Sequence, residues 1–225
     1  MSQSIAIVQT SAVSSAELKA LCAEIMPDVT VQEIIESSLI REVNANGGPT
    51  GGVRRRMYAY YQQAQSMGVD LILNQCSSVG EVADQIKPFV DIPVVKIDEA
   101  MARKAVRLGR KIAVIATVAT TVGPSCRLVE SMAKEAGVEI ELERRLVKDA
   151  MMILIEKGDV ETHNKMVISE VLDAAKTNDV IVLAQGSMTV LLPLLKDIEK
   201  PVLSSPRLGV EYVKEVLDAL KRREG

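Results

Sequence analysis

The sequence predicts an α/β fold of two pseudo-symmetric lobes, each a roughly four-stranded parallel sheet flanked by helices. Three observations carry that prediction. First, the chain repeats itself. Asp70-Leu71-Ile72-Leu73-Asn74-Gln75-Cys76-Ser77 returns as Val180-Ile181-Val182-Leu183-Ala184-Gln185-Gly186-Ser187, and Ile5-Ala6-Ile7-Val8-Gln9-Thr10 as Ile112-Ala113-Val114-Ile115-Ala116-Thr117. Ile92-Pro93-Val94-Val95 returns as Lys200-Pro201-Val202-Leu203. The offsets are 110, 107 and 108, a drift of three residues, which implies two structurally equivalent halves. Second, the apolar runs are continuous rather than alternating, as in parallel strands buried on both faces. Third, helical patterns separate the runs, and right-handed crossovers turn that alternation into open parallel sheets.

Taken in order, apolar runs at 5–8, 29–35, 71–73, 94–97, 112–115, 138–142, 180–183 and 202–203 predict the strands. Ser14 and Glu17 have the spacing of a capping box at the start of a helix. Segment 37–53, with Asn44, Asn46, Gly47, Gly48, Pro49, Gly51 and Gly52, reads as a long flexible loop leading into Arg54-Arg55-Arg56. A loop of that length in a compact domain is more often functional than idle, and a lid bringing an arginine to an anionic substrate is one reading. For any single arginine, a solvated loop and a basic helix face is the stronger one. Asp98 precedes a helix ending near Gly109, and Ser205-Pro206 sets a cap before a favoured first-turn proline. Lys221-Arg222-Arg223 complements a helix dipole.

Composition narrows the function classes. The 225 residues carry a net charge of −3, a single Phe and no Trp, which argues against a nucleic-acid surface. No apolar run approaches the ~20 residues that span a bilayer, so no membrane partner is expected. Met1-Ser2-Gln3-Ser4 lacks a basic region, and no signal peptide is expected. Three cysteines without a CxxC spacing fit a reduced, cytoplasmic setting. One histidine and scattered cysteines make no recognisable zinc site, so neither metal nor cofactor is expected. The expected partner is a small-molecule carboxylate, and the expected assembly is a homo-oligomer of two or more chains.

Ligands of open α/β sheets bind at the carboxyl ends of the strands. Thr10, Cys76, Thr117 and Gly186 fall at that edge, with Gln9 beside Thr10 and Ser187 beside Gly186. Cys76 follows a buried strand and precedes Ser77-Ser78 and a helix starting near Val79. Backbone N–H groups and a positive helix end there are expected to lower its thiol pKa. The same N–H groups, with the Ser77 and Ser78 hydroxyls, can hold a carboxylate or a developing enolate oxygen. A free cysteine is usually a small buried hydrophobe; the duplicated Gln-x-Ser context moves Cys76 to function. Thr117, Thr120 and Thr121 form a hydroxyl-rich turn that can cap a helix, hold an anion, or do both. Cys22 lies within an apolar helical pattern and Cys126 follows Pro124 at a helix start, so both read as packing residues. His163, in a strongly polar stretch, reads as solvent-facing.

These features together resemble the aspartate/glutamate/hydantoin racemase superfamily. The resemblance rests on the duplicated plan, Cys76 after the central strand of the first half, and the Thr117-x-x-Thr120 turn. The run Leu183-Ala184-Gln185-Gly186-Ser187-Met188, continuing to Leu191-Leu192-Pro193, adds to it. It implies a cofactor-independent enzyme with its active site in the cleft between two lobes, 1–97 plus 206–225 and 98–205. The helix after Pro206 would then cross back onto the first lobe. In the family's racemases, one cysteine from each half works on opposite faces of an acidic carbon. Here Gly186 stands where the second cysteine belongs, and arylmalonate decarboxylase presents the mirror arrangement, with one thiol in the other half. The expectation is therefore an isomerase of a small carboxylic acid, an amino acid or a relative, with Cys76 carrying the proton. The alternatives are decarboxylation of a malonate-like acid with Cys76 protonating the enediolate, and a catalytically inactive ligand-binding homologue.

Overall fold

In the computed structural model, which describes residues 3–224, the chain forms two four-stranded parallel sheets. The first contains β1 (Ser4–Gln9), β2 (Thr30–Ile35), β3 (Leu71–Asn74) and β4 (Val94–Lys96), in the order β2-β1-β3-β4. The second contains β5 (Lys111–Ala116), β6 (Glu141–Leu146), β7 (Val180–Leu183) and β8 (Val202–Ser204), in the order β6-β5-β7-β8. The two orders are the same, which is what a duplicated sequence requires. Met1, Ser2 and Gly225 lie outside the described residues, and with them part of the stretch read as lacking a leader.

The helices are α1 (Ser15–Ile25), α2 (Ser37–Asn46), α3 (Gly51–Ser66), α4 (Gly80–Ile86) and α5 (Glu99–Leu108), then α6 (Ala119–Ala136), α7 (Ala150–Lys157), α8 (Val160–Ala174) and α9 (Ser205–Glu224). One compact unit runs to Glu99 and resumes at Pro206; the other is Ala100–Ser205. No helix among the described residues is long and apolar enough to cross a membrane.

Strand alternation splits the first unit's core into two layers. Ala6, Val8 and Ile72 face Val53, Met57 and Tyr61 of α3 and Val82 of α4. Ile5, Ile7, Leu71 and Leu73 face Leu18 and Cys22 of α1 together with Val210, Val213 and Leu217 of α9. The carboxyl-terminal helix therefore completes the first sheet. Gly209 lets it approach, because a Cβ there would stand 2.4 Å from the Ile97 carbonyl oxygen. In the second unit, Ala113, Ile115, Ile181 and Leu183 pack with Val167, Val171 and Ala174 of α8.

Four local expectations need correction. Segment 37–53 is not a long flexible loop: α2 ends and α3 begins inside it. Its turn-forming residues are helix punctuation. Gly47 closes α2 in the left-handed conformation at φ 68°, and the Thr50 hydroxyl caps α3 by accepting from the Val53 N–H at 3.2 Å. Arg56 meets Glu36 at 3.0 Å and also Glu42, so two carboxylates already hold it. The sixth strand starts at Glu141, not Val138, because β6 is an edge strand whose Glu-Leu-Glu-Arg-Arg-Leu sequence carries little apolar signal. Ser14 precedes α1 but its side chain makes no cap bond, so the capping box does not form. Finally, α6 begins at Ala119 and contains Pro124, which is not at its start.

Candidate functional site

The first unit's site grows from the upper ends of β1 and β3. The ladder continues one step past β3, where the Gln75 N–H donates to the Val8 carbonyl at 3.0 Å and the Ile97 N–H to the Asn74 carbonyl at 3.0 Å. The chain then leaves the sheet through the 3-10 turn Ser77–Val79 into α4. Alternation places Thr10 on the face of Ala6 and Val8, and Cys76 on the face of Ile72, which is the same face. The two side chains meet. The Thr10 and Ser78 hydroxyls and the Ser78 and Val79 backbone N–H groups donate to the Cys76 sulfur.

The electrostatic outcome differs from the expected one. Cys76 is half-buried as a residue, and desolvation by the protein around its thiol pushes the pKa up, the hydrogen bonds only partly opposing the rise. The expectation of a lowered pKa counted the donors and left out the burial penalty. The resting group is a protonated thiol whose thiolate has donors waiting for it.

A buried polar column underlies this point. Asn74, 1% exposed, donates through Nδ2 to the Cys76 carbonyl at 3.1 Å and accepts from the Tyr61 hydroxyl at 3.1 Å. Lys96 pairs with Asp84 at 2.5 Å. Asp98, 3% exposed, is hydrogen-bonded to the Ser77 side chain. Sequence reasoning missed Asn74, Tyr61 and Lys96, and read Asp98 only as the residue before a helix. The strand register holds a signal for Asp98. Asn74 pairs with Lys96 where the two strands end, and Cys76 and Asp98 each follow two residues later.

Gln9 does not join this group. It lies on the opposite face of β1, fully buried, where its amide donates to Glu33 at 2.8 Å and accepts from Ser15 at 3.1 Å. Period-two alternation separates it from its neighbour Thr10.

The second unit repeats the arrangement without a thiol. The Thr117 N–H donates to Gln185 Oε1 at 2.6 Å, and the Thr117 hydroxyl lies 3.0 Å from Gln185 Nε2. Gln185 is a further missed residue, although its repetition as Gln75 could have found it. Thr120 and Thr121 lie in the first turn of α6, with the Thr121 N–H donating to the Val118 carbonyl at 3.0 Å. Gly186 and Ser187 open the 3-10 helix Gly186–Leu194 after β7, as Ser77 and Ser78 do after β3. The polar helix containing His163 turns that residue inward. It is 3% exposed, Nδ1 lies 3.0 Å from Asn164 Oδ1, and Nε2 has no hydrogen-bond partner. The solvent-facing expectation failed because His163 begins the stripe His163, Val167, Val171, Ala174 that faces the sheet. Cys22 and Cys126 are buried, as expected of packing residues.

Among the described residues, no group of three or more His, Cys, Asp or Glu could hold a metal ion. The family model for Asp/Glu/Hydantoin racemase matches residues 7–213. The chain belongs to that family. A search of curated proteins found no match. Among solved structures, allantoin racemase from Klebsiella pneumoniae superposes with a TM-score of 0.70 at 16% identity, covering 97% of this chain and 89% of that one. Glutamate racemase from Thermus thermophilus gives a TM-score of 0.73 at 21% identity, covering 98% and 82%. Arylmalonate decarboxylase gives 0.58 at 13% identity, covering 97% and 91%. At these identities the likenesses establish the fold; the family comes from the sequence model.

Proposed function

We propose that this chain is a cofactor-independent isomerase of a small carboxylic acid, an amino acid or a related acid, in which Cys76 transfers the proton. The observation that supports the reading is the set of donors converging on one thiol: Thr10, Ser78 and two backbone N–H groups. Burial keeps the proton on sulfur at rest, while the donors stabilise the thiolate once the proton has left. A group so balanced can give a proton to a carbanion and take it back. Ser77 and Ser78 are assigned to the substrate carboxylate, with Thr117, Thr120, Thr121, Gly186 and Ser187 as further substrate contacts.

A second reading has its own support. A thiol held protonated is prepared to act as an acid, and the second repeat offers Gly186 where another thiol would complete a two-base racemase. Decarboxylation of a malonate-like acid needs only one proton donor, to quench the enediolate. The experiment that separates the readings incubates the protein with candidate acids in D₂O. Deuterium entering recovered substrate supports isomerisation, CO₂ release supports decarboxylation, and tight binding with neither supports an inactive homologue. Cys76→Ala is expected to lower turnover by about 10² to 10⁴-fold or more while leaving binding in place. Unchanged turnover in that variant, on a confirmed substrate, rejects Cys76 as the proton carrier.

A further inference from the structure

The mechanism above uses the Cys76 side chain, and the fold holds the Cys76 carbonyl as well. That carbonyl accepts twice, from Asn74 Nδ2 at 3.1 Å and from the Val79 N–H at 3.2 Å. The second bond closes the 3-10 turn Ser77–Val79, and the first ties the start of that turn to the last residue of β3. Asn74 is itself held, because its Oδ1 accepts from the Tyr61 hydroxyl at 3.1 Å. Tyr61 is fully buried and Asn74 is 1% exposed, so burial leaves neither group water as an alternative partner. The carboxamide has one workable orientation: turned over, it would set an oxygen against the Cys76 carbonyl.

The repeat supplies an independent observation. The buried stripe of α3, Val53, Met57, Tyr61 and Ala64, returns in α8 as His163, Val167, Val171 and Ala174 at an offset of 110. The same offset relates Asn74 to Ala184 and Cys76 to Gly186. The half without the thiol thus has neither the phenol nor the carboxamide. Its backbone differs at the same place. Cys76 is extended, at φ −105° and ψ 117°, and the 3-10 turn starts after it, at Ser77. In the second half the Met188 N–H donates to the Gln185 carbonyl at 3.0 Å, and the 3-10 helix starts one residue earlier, with Gly186 inside it.

That one residue decides where the thiol stands. Extended backbone keeps Cys76 in the alternation of β3, on the face of Ile72. It also leaves Cys76 just ahead of the turn, the position whose side chain faces the first free N–H groups. We propose that Asn74 and Tyr61 are positioning residues for Cys76: the carboxamide, oriented by the phenol, holds Cys76 extended, so that the turn starts at Ser77 and presents the Ser78 and Val79 N–H groups to the sulfur. This rests on the reading of Cys76 as the proton carrier, and it names what assembles the donors around it.

The test follows alkylation of Cys76 by iodoacetamide across pH, by mass spectrometry of the peptide that carries it, and needs no substrate. Only the thiolate reacts, so the midpoint of the rate profile reports how well the thiolate is held. The titratable groups around the column are Tyr61, Lys96 with its partner Asp84, and Asp98, and Asn74→Ala leaves all of them in place. Without the carboxamide the N–H groups leave the sulfur. The midpoint is then expected to move up and the rate at neutral pH to fall roughly tenfold, the factor for one hydrogen bond to a charged group. Tyr61→Phe, which keeps the buried ring, should shift the profile the same way by roughly threefold, the factor for one neutral hydrogen bond. A merely structural role gives the opposite sign, because loosened packing relieves the burial that raises the thiol and brings the midpoint down towards that of an ordinary cysteine. A midpoint that falls or stays in place in either variant overturns the proposal. Cys22, in the other layer of the first unit's core, reports global opening; if it reacts rapidly in Asn74→Ala, Tyr61→Phe decides. The outcome is separable from the functional reading. Turnover retained in Cys76→Ala sinks the proton carrier without touching these midpoints, and unmoved midpoints sink the roles of Asn74 and Tyr61 without touching the proton carrier.

Discussion

At the residue scale, the three cysteines show how one side chain serves two purposes. Cys76 stands at a strand end among donors, whereas Cys22 lies in the layer between α1, the first sheet and α9. Burial, with Glu33 adding to it, raises the Cys22 thiol from 9.0 to about 11. The sign of the consequence follows from linkage: between those values the unfolded chain has lost the proton that the folded chain keeps. Cys22 therefore stabilises the fold fully below pH 9.0, and that contribution is lost as pH rises through about 11. Chemical denaturation of the native protein across this window should show falling stability, and Cys22→Ala should show a shallower fall. At neutral pH the same variant is expected to lose roughly 1 kcal/mol and to keep its turnover, in contrast to Cys76→Ala. An equal alkaline slope in both proteins would remove Cys22 as the cause. Sequence reasoning set Cys76 apart from Cys22 and Cys126 by context, but the direction of the Cys76 shift depends on how much protein surrounds the sulfur. No local pattern reports that.

At the scale of elements, the parallel strands were legible because buried strands need continuous apolar runs. The exceptions have separate causes. β6 is an edge strand, and its Arg145 finds Glu143 at 2.7 Å, Glu170 at 2.9 Å and Asp173 at 2.8 Å, so ion pairs replace apolar burial. The 37–53 segment looked like a loop because the residues that stop one helix and start the next are those that make turns. Asp98 was read as helix punctuation for the same reason, and its burial shows only in the folded chain. Gly209 shows the reverse situation, an interior helix glycine with no local justification. Glycine costs about 1 kcal/mol relative to alanine in a helix, so its presence in α9 needs a tertiary reason. The Ile97 carbonyl supplies one, because the nearest atom to an added Cβ is backbone and cannot turn aside. Gly209→Ala is expected to destabilise by about 1 to 3 kcal/mol despite its better helix propensity. A thermal melt showing an unchanged or raised midpoint would reject the close approach as the reason for this glycine.

For the whole molecule, the duplicated sequence and the compact units do not share a boundary. The sequence repeat ends with β8, but the first unit takes in α9 as well, from beyond the second unit. The family resemblance implied that the helix after Pro206 crosses back onto the first lobe; nothing in its own residues names the sheet it covers. Its Val210, Val213 and Leu217 are buried to 1% exposure or less. At about 1.5 to 3 kcal/mol for each such side chain, they contribute roughly 5 to 9 kcal/mol, comparable with the 5 to 15 kcal/mol that separates a typical domain from its unfolded state. All three pack in the first unit's layer, with Leu18, Cys22 and the first sheet. A chain truncated after Ser205 should therefore lose the first unit selectively. Hydrogen exchange is expected to show β1 and β3 amides losing protection while β5 and β7 amides keep most of theirs. The cysteines give a second readout, since Cys22 should become rapidly alkylated and Cys126, in α6, should stay protected. Equal loss of protection in both sheets would mean that the two units unfold as one cooperative body, and equal retention would mean that α1 and the first sheet close their own core without α9.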